Sequence, residues 1–558
     1  MLKRSKKAPD LLDNNIAKTY SKHIKTEHMR MKLREKQFED KISQMRSARL
    51  LNTGTKSRVI GKIMNGLLLI IAILCGFLGA LIYGSSRWVL NTWGNLSMDE
   101  IIFHLKVPVE GTNADLIQSY LSVCVSVAII ILFAVIVLMI GVWKKPIRRY
   151  LAMASIIGAS LWAVITSVQL LWTDLNINEY IASQSENSTF IQDNYVDPRN
   201  VAITFPAQKR NLIYIYLESM ESTYMDTSNG GGFEENYIPE LTELAKNNIN
   251  FSNTDNVGGG YATTGATWTM GGLFAQTSAL PLKIPVEANS MNEQSEFFPD
   301  IISLGDILKE EGYSQMFMCG SDATFGGRRK YFEQHGNYNI SDWASARTDG
   351  HISDDYGVWW GYEDEKLFDF AREELTNMSS EGKPFNFTLL TADTHFEDGY
   401  VCQLCKTEFG DNQYANVMTC SSRQVTSFVK WIQQQDFYEN TTIVISGDHL
   451  TMDSDFCNDM VSGYTRGVYN TIINAPIETA NTKNREFSTL DMLPTTLASL
   501  GVEIAGNKLG LGTNLFSNQR TLVEQVGINK LNKELEAKSN FFENFTKSIV
   551  ITAENTVN

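Results

Sequence analysis

Three apolar runs dominate the first third of the chain. The first, about Ile63–Tyr83, reads IMNGLLLIIAILCGFLGALIY and carries no charge. The second, about Leu116–Trp143, contains VSVAIIILFAVIVLMIGVW, and the third, about Leu151–Trp172, reads LAMASIIGASLWAVITSVQLLW. Each reaches the roughly 20 apolar residues a helix needs to cross a bilayer core, so the pattern predicts three transmembrane helices over 63–172. A long polar stretch precedes the first run and a short basic lead is missing, which argues against a cleaved signal peptide.

Past residue 173 the pattern changes. Short β-rich runs alternate with longer helix-like segments: LIYIYL (212–217), SQMFM (314–318), FNFTLL (385–390) and TIVIS (442–446). That alternation predicts an α/β domain with a mostly parallel central sheet. The expected organisation is a basic segment over 1–62, the three membrane helices, an extended polar linker over 173–204, the catalytic domain over 205–520 and a C-terminal tail over 521–558. No internal repeat interrupts this plan.

Charge sharpens the division. The formal net charge is -15, and it is unevenly spread: the segment before the first apolar run is strongly basic, while residues 173–558 carry a large acidic excess. This balance disfavours a general nucleic-acid binder, which needs a cationic footprint. Cytoplasmic loops beside membrane spans are enriched in Lys and Arg. Lys56, Arg58 and Lys62 precede the first span, and Lys144, Lys145, Arg148 and Arg149 separate the second from the third. Both sites are expected inside, so three crossings put the acidic body in the periplasm or outside the cell. The head, about Asn15–Arg49, reads as an amphipathic helix on the inner membrane surface or a solvated tail.

Cys75 and Cys124 fall in the apolar runs, leaving Cys319, Cys402, Cys405, Cys420 and Cys457 in the body. An oxidising compartment favours a structural disulfide among them, with the pairing open and Cys319 as the odd thiol. The CysGlnLeuCys at 402–405 also has the form of a zinc or redox motif.

The chemistry sits where the strands end. Glu218 follows the first strand, Asp322 and Arg328 the second, His395 the third, and Asp448 with His449 the fourth. Ligands of open α/β sheets bind beyond the carboxyl ends of strands, so these groups can meet along one rim. Two carboxylates and an imidazole, Glu218, Asp448 and His449, suit a divalent cation that would polarise an ester oxygen and acidify a hydroxyl. A Gly- and Thr-rich stretch, about 254–282, supplies candidate nucleophiles. Thr269 stands where a Gly-rich loop enters a helix, a position that also suits a plain helix cap. Thr267 is the rival; Thr263 and Thr264 are weaker candidates. Trp343, Trp359 and Trp360 are candidates for a sugar groove, though packing is the commoner role of such residues.

LIYIYLES (212–219), AlaThrTrpThrMetGlyGly (266–272) with the later LeuProLeu, and SerGlyAspHis (446–449) together resemble the sulfatase-like branch of the alkaline phosphatase superfamily. More closely they are similar to its membrane-anchored glycerophosphate transferases, which include lipoteichoic acid synthases and the phosphoglycerol transferases of periplasmic glucans. The resemblance spans roughly 205–520. It departs from lipoteichoic acid synthases at Cys319 and Gly326, where they place a His and a Trp, and in having three membrane helices where five or more are common.

The resemblance implies one divalent metal, Mn2+ in the first place and Mg2+ as an alternative, held by Glu218, Thr269, Asp448 and His449. It implies His395 as a catalytic and substrate-binding group and Arg328 as a contact for the substrate head group, with Asp322 beside it. The implied reaction moves glycerophosphate from phosphatidylglycerol to a periplasmic or cell-surface glycan through a threonine ester on Thr269, in an enzyme of the inner membrane. Phosphoethanolamine transfer, and hydrolysis of a phosphodiester or sulfate ester, are the alternatives.

Overall fold

The computed structural model describes residues 13–92, 98–106, 114–185, 187–284, 296–453, 455–479 and 481–546. The ends of the expected head and tail, 1–12 and 547–558, lie outside the described residues. The chain divides into two compact units, one of Met1–Ala80 with Ala128–Ala163, the other of Leu81–Val127 with Val164–Asn558.

The first unit is helical. It takes most of α1 (Asp13–Thr92), then, after α2 (Met98–Lys106) and α3 (Ala114–Tyr120) of the second unit, much of α4 (Ser126–Val142) and α5 (Pro146–Asp174). Ala72, Val135, Met139 and Met153 form its buried centre. Gly79 lets two backbones close up, since a Cβ there would stand 2.8 Å from the Ser160 Cβ. Three stretches, Val59–Thr92, Ile117–Val142 and Pro146–Asp174, are long and apolar enough to cross a membrane, in agreement with the three apolar runs. The head is helical from Asp13 onward, and its described side chains over 21–50 are almost all exposed. Its Lys, Arg, Glu and Met content and lack of proline after Pro9 favour that helix.

The second unit is built on a six-stranded sheet of order β4-β3-β5-β2-β6-β7. Its strands are β2 (Asn211–Leu217), β3 (Ser314–Cys319), β4 (Asn339–Ser341), β5 (Phe385–Leu390), β6 (Thr441–Gly447) and β7 (Asn470–Ile473), preceded by the two-residue β1 (Ile203–Thr204) outside the sheet. All neighbours run parallel except β7, which pairs antiparallel with β6. The four expected strands are β2, β3, β5 and β6, of which β5 has the expected bounds and the others are longer by one or two residues; the short β4 and β7 were not foreseen. Alternate residues of β2 point to opposite faces. Leu212, Tyr214 and Tyr216 enter one core with α9 (Thr269–Ser278), α10 (Leu304–Glu310), α11 (Arg328–Gln334) and α15 (Met492–Ser499). Ile213, Ile215 and Leu217 enter the other with α8 (Pro239–Asn247), α12 (Trp343–Thr348), α13 (Asp364–Ser380) and α14 (Gln413–Ile432). With helices on both faces, β2, β5 and β6 are buried throughout, as parallel strands ordinarily are.

Two expectations about the edges of this unit need correcting. The segment 173–204 is not an extended linker. It holds α6 (Ile177–Ser183) and α7 (Phe190–Asn194), which pack on the C-terminal helices α17 (Ile528–Glu536) and α18 (Asn540–Glu543); α16 (Leu522–Val526) packs on α17. The Ser188 N–H donates to the Lys538 carbonyl at 2.8 Å, and Lys538 N–H returns to Ser183 at 3.0 Å. The buried Lys283 ammonium donates to the carbonyls of Leu535, Glu536 and Ala537 at 2.6, 2.8 and 3.0 Å, capping α17. The reason is apolar burial: Ile191, Leu531, Leu535 and Phe542 become inaccessible only when both ends of the body meet.

The disulfide expectation is not met either. All seven cysteines are free thiols. Cys402, Cys405 and Cys420 come together, Cys457 stands outside that group, and Cys319 is buried alone at the end of β3.

Candidate functional site

The carboxyl ends of β2, β5 and β6 open on one rim. Glu218 leaves β2, and its N–H donates to the Thr391 hydroxyl just past β5 at 3.0 Å. The next residue, Ser219, adopts a left-handed φ of 54°, which turns its N–H onto Asp448 Oδ1 at 2.8 Å. The Thr394 hydroxyl donates to the Glu218 carbonyl at 2.6 Å. Three strand ends are thereby laced together through main-chain groups, and the side chains of Glu218, Asp448 and His449 are left facing one another.

α9 brings the hydroxyl. Trp268 before it is extended, with no side chain capping the helix, so Thr269 is its first residue. Gly272 allows the close approach: a Cβ there would fall 2.1 Å from the Asp448 carbonyl oxygen. Gln276, one turn on, donates to the Gly447 carbonyl at 2.9 Å and accepts from the Tyr214 hydroxyl at 2.8 Å, pinning α9 to the sheet. As a result Thr269 Oγ1 donates to Glu218 Oε2 at 3.2 Å and lies 3.4 Å from His449 Nε2. The hydroxyls of the rivals Thr267 and Thr263 are buried with no hydrogen-bond partner among the described residues, and Thr264 faces Asn532.

His449 Nδ1 lies 2.7 Å from the Leu450 carbonyl and must donate to it, so Nε2 faces the acids, 3.2 Å from Glu218 Oε1 and 3.5 Å from Asp448 Oδ2. Burial disfavours its charged form, but the Asp448 and Glu218 carboxylates outweigh this and raise its pKa to about 10. Burial also opposes ionisation of Glu218, whose pKa is nevertheless lowered by the His449 imidazole. Asp448 is pushed well above the ordinary carboxylate range, first by burial and then by the Glu218 charge. Two carboxyl groups and an imidazole crowd a buried space. Asp448 Oδ2 is buried and makes no hydrogen bond among the described residues. A buried oxygen of that kind asks for a partner, and two carboxylates, an imidazole nitrogen and a hydroxyl converging on one point fit a divalent cation.

A cavity of about 780 Å³ opens over this group, and Glu218, Thr269, His449, Arg328 and His395 all line it. His395 Nδ1 lies 2.7 Å from the Phe396 carbonyl and donates to it, leaving Nε2 as the exchangeable nitrogen. Its pKa is lowered, chiefly by burial. Arg328 is held by its own loop, Nε to Phe325 O at 3.0 Å and Nη2 to Asp322 O at 2.8 Å. Asp322 does not join the group. Its carboxylate accepts the Thr324 N–H at 2.8 Å within the same turn and does not line the cavity. Trp359 and Trp360 do line it, while the Trp343 indole donates to the Tyr356 carbonyl elsewhere.

Some participants escaped sequence reading. Part of the lining comes from outside the expected catalytic segment: the apolar Val89, Ile101, Phe103, Leu171 and Leu175, with Thr92, Glu100 and Ser119. A carboxylate brace also lies under His395. Asp364, at the start of α13, accepts the N–H groups of Ala392 and Asp393 at 2.8 and 3.1 Å, and Asp393 accepts the Asp364 N–H at 3.2 Å. An acidic residue at a helix start is too common a pattern to have marked it.

Residues 210–502 match the family model described as Sulfatase. The chain is 28% identical over 446 residues to phosphoglycerol transferase I of Xanthomonas campestris pv. campestris, covering 77% of this chain and 60% of that protein. It is 31% identical over 352 residues to phosphoglycerol transferase I of Escherichia coli, covering 62% of this chain and 43% of that one. It therefore spans only about half the length of these relatives. Among solved structures, the lipoteichoic acid synthase LtaP of Listeria monocytogenes aligns with a TM-score of 0.45 at 17% identity, covering 59% of this chain and 82% of that one.

Proposed function

The chain belongs to the sulfatase family, and from that premise we propose that it is a membrane-anchored, metal-dependent transferase that moves glycerophosphate from phosphatidylglycerol to a cell-surface or periplasmic glycan. The observation that carries this reading is the convergence of Thr269, Glu218, Asp448 and His449 beneath a cavity whose lining is mostly apolar. Relatives named phosphoglycerol transferase I at 28–31% identity favour glycerophosphate as the transferred group.

In this reading Glu218, Asp448, His449 and the Thr269 hydroxyl hold one divalent cation, Mn2+ or Mg2+. Bound there, it supplies Lewis acidity, lowering the pKa of the threonine hydroxyl and drawing charge from the phosphoryl oxygens. Thr269 Oγ attacks phosphorus, the bond to the diacylglycerol oxygen breaks, and a glycerophospho-threonine ester forms. As Thr269 attacks, His395 Nε2 takes the threonine proton and delivers it to the departing alkoxide. An acceptor hydroxyl then attacks the same phosphorus, His395 takes its proton, and Thr269 leaves, receiving that proton back. Arg328 is restrained by two carbonyls and pairs with phosphate oxygens through its remaining donors. The apolar side chains of Val89, Ile101, Phe103, Leu171 and Leu175 suit the lipid part of the donor. By the distribution of Lys and Arg, the head is cytoplasmic and the catalytic unit faces the other side of the inner membrane.

Mass spectrometry of the full-length protein in detergent, after brief incubation with phosphatidylglycerol and Mn2+, tests this. The expected result is a glycerophosphate adduct on Thr269. A phosphoethanolamine adduct formed from phosphatidylethanolamine in its place would reassign the donor. An adduct on Thr267, or none in conditions where diacylglycerol is released, would remove Thr269 as the nucleophile.

A further inference from the structure

Cys402, Cys405 and Cys420 gather at a place that plays no part in the chemistry above; none of them lines the catalytic cavity. Cys402 and Cys405 sit on a turn closed by the Cys405 N–H donating to the Cys402 carbonyl at 3.1 Å. Cys420 comes from the buried face of α14. The Cys402 sulfur is 3.7 Å from each of the other two, and all three sulfurs lie within 4.8 Å of one another. A disulfide would join two sulfurs at roughly 2.0 Å and exclude the third. Here Cys402 is equidistant from both partners. Thiolates around a zinc ion at about 2.3 Å span tetrahedral edges of about 3.8 Å, close to the separation of Cys402 from each of its two partners. A Cys-x-x-Cys turn facing a helix-borne cysteine is an arrangement suited to such an ion.

The surroundings suit thiolates. The Gln424 amide donates toward Cys420 at 3.5 Å and Cys402 at 3.7 Å, the kind of outer hydrogen bond that steadies metal-bound sulfur. Lys406 and Arg423 line a small cavity of about 390 Å³ against Cys420, together with Glu365, Asp369 and Arg372, and Arg423 pairs with Glu408 at 2.6 Å. Cys402 and Cys420 are buried while Cys405 is half-buried, which leaves the fourth coordination position toward solvent.

We propose that Cys402, Cys405 and Cys420 bind one zinc ion, with a water or other small ligand in the fourth position. The ion joins the loop after His395 to α14. That loop returns to the active-site side through the Tyr400 N–H, which donates to the Asp393 carbonyl at 2.7 Å. The site is separate from the Glu218–Asp448–His449 group, which offers no sulfur ligand.

Cobalt is the probe. Full-length protein, purified in detergent under anaerobic, reducing conditions and stripped of metal, is titrated with Co2+ and then Zn2+. The expected result is an intense near-ultraviolet thiolate-to-cobalt band that saturates at one equivalent and is bleached by Zn2+. It should disappear in Cys420→Ser and in Cys405→Ala, and persist in Asp448→Asn. The wild-type titration decides the matter even if a cysteine variant fails to fold. Absence of the band from folded wild-type protein overturns the proposal, as does its persistence in both cysteine variants. A peptide map showing two of the three cysteines disulfide-linked in protein isolated without reductant, with no zinc present, overturns it as well.

Discussion

Thr269 contributes little to the fold and, in the proposed mechanism, everything to the chemistry. Its hydroxyl makes two long contacts, at 3.2 and 3.4 Å, and no cap depends on it. Thr269→Ala is therefore expected to cut glycerophosphate transfer by about 10³-fold or more, as loss of a nucleophile ordinarily does, with the melting temperature nearly unchanged; a diacylglycerol-release assay beside a thermal melt reads both. The Asp364–Asp393 brace has the opposite character. Burial raises the Asp364 pKa to about 7, and Asp393 is pushed well above the usual range by burial and then by Asp364. An unfolded aspartate ionises near pH ~3.9, so between about pH 4 and 7 the folded protein keeps protons the unfolded chain has lost. The unfolded state is then the one favoured as pH rises, and stability from this pair falls through that interval. Asp393 Oδ2 has no hydrogen-bond partner among the described residues, so an amide fits in its place and removes one acid. Asp393→Asn should lose less melting temperature than the parent between pH 5 and 8, by on the order of a few degrees. Equal losses in the two proteins would show that the pair carries no such linkage.

At the scale of elements, α9 depends on two glycines that look unremarkable in sequence. Gly271 and Gly272 weaken a helix by propensity, yet each lies against other backbone: a Cβ at Gly271 would stand 2.8 Å from the Gly265 carbonyl oxygen, and one at Gly272 2.1 Å from that of Asp448. Gly272→Ala places a methyl group where that carbonyl stands. The expected cost is about 1–3 kcal/mol together with displacement of Thr269, so activity should fall in a protein that still folds; a melt and a transfer assay on the same preparation check it. The main strands were legible because β-branched and aromatic runs buried on both faces leave a strong signal. β4 and β7 were not, being short and at the sheet edges, where pairing with β3 and β6 makes them strands. Likewise α6 and α7 read as polar linker, since their order comes from α17 and α18, more than 300 residues away.

For the molecule as a whole, stability should respond to the catalytic cation. Mn2+ at about 100 times its Kd stabilises the folded form by about 2.7 kcal/mol. Adding it to stripped protein should raise the melting temperature of the wild type and leave that of Asp448→Asn unmoved. A wild type indifferent to Mn2+ would remove the metal from the proposed mechanism. The three apolar runs, the basic head and acidic body, the four main strands and the polar residues that end them could all be read from the chain alone. Each is a local matter: hydropathy, alternation and charge need only neighbours in sequence to be recognised. Tertiary structure alone set the Thr269 hydroxyl beside Glu218 and His449, took Asp322 out of the cavity, brought Val89, Ile101, Phe103, Leu171 and Leu175 into its lining, and gathered three cysteines where a disulfide was expected. Those outcomes turn on which side chains share a space, and that is set by the packing of helices across a sheet, a property no segment possesses by itself.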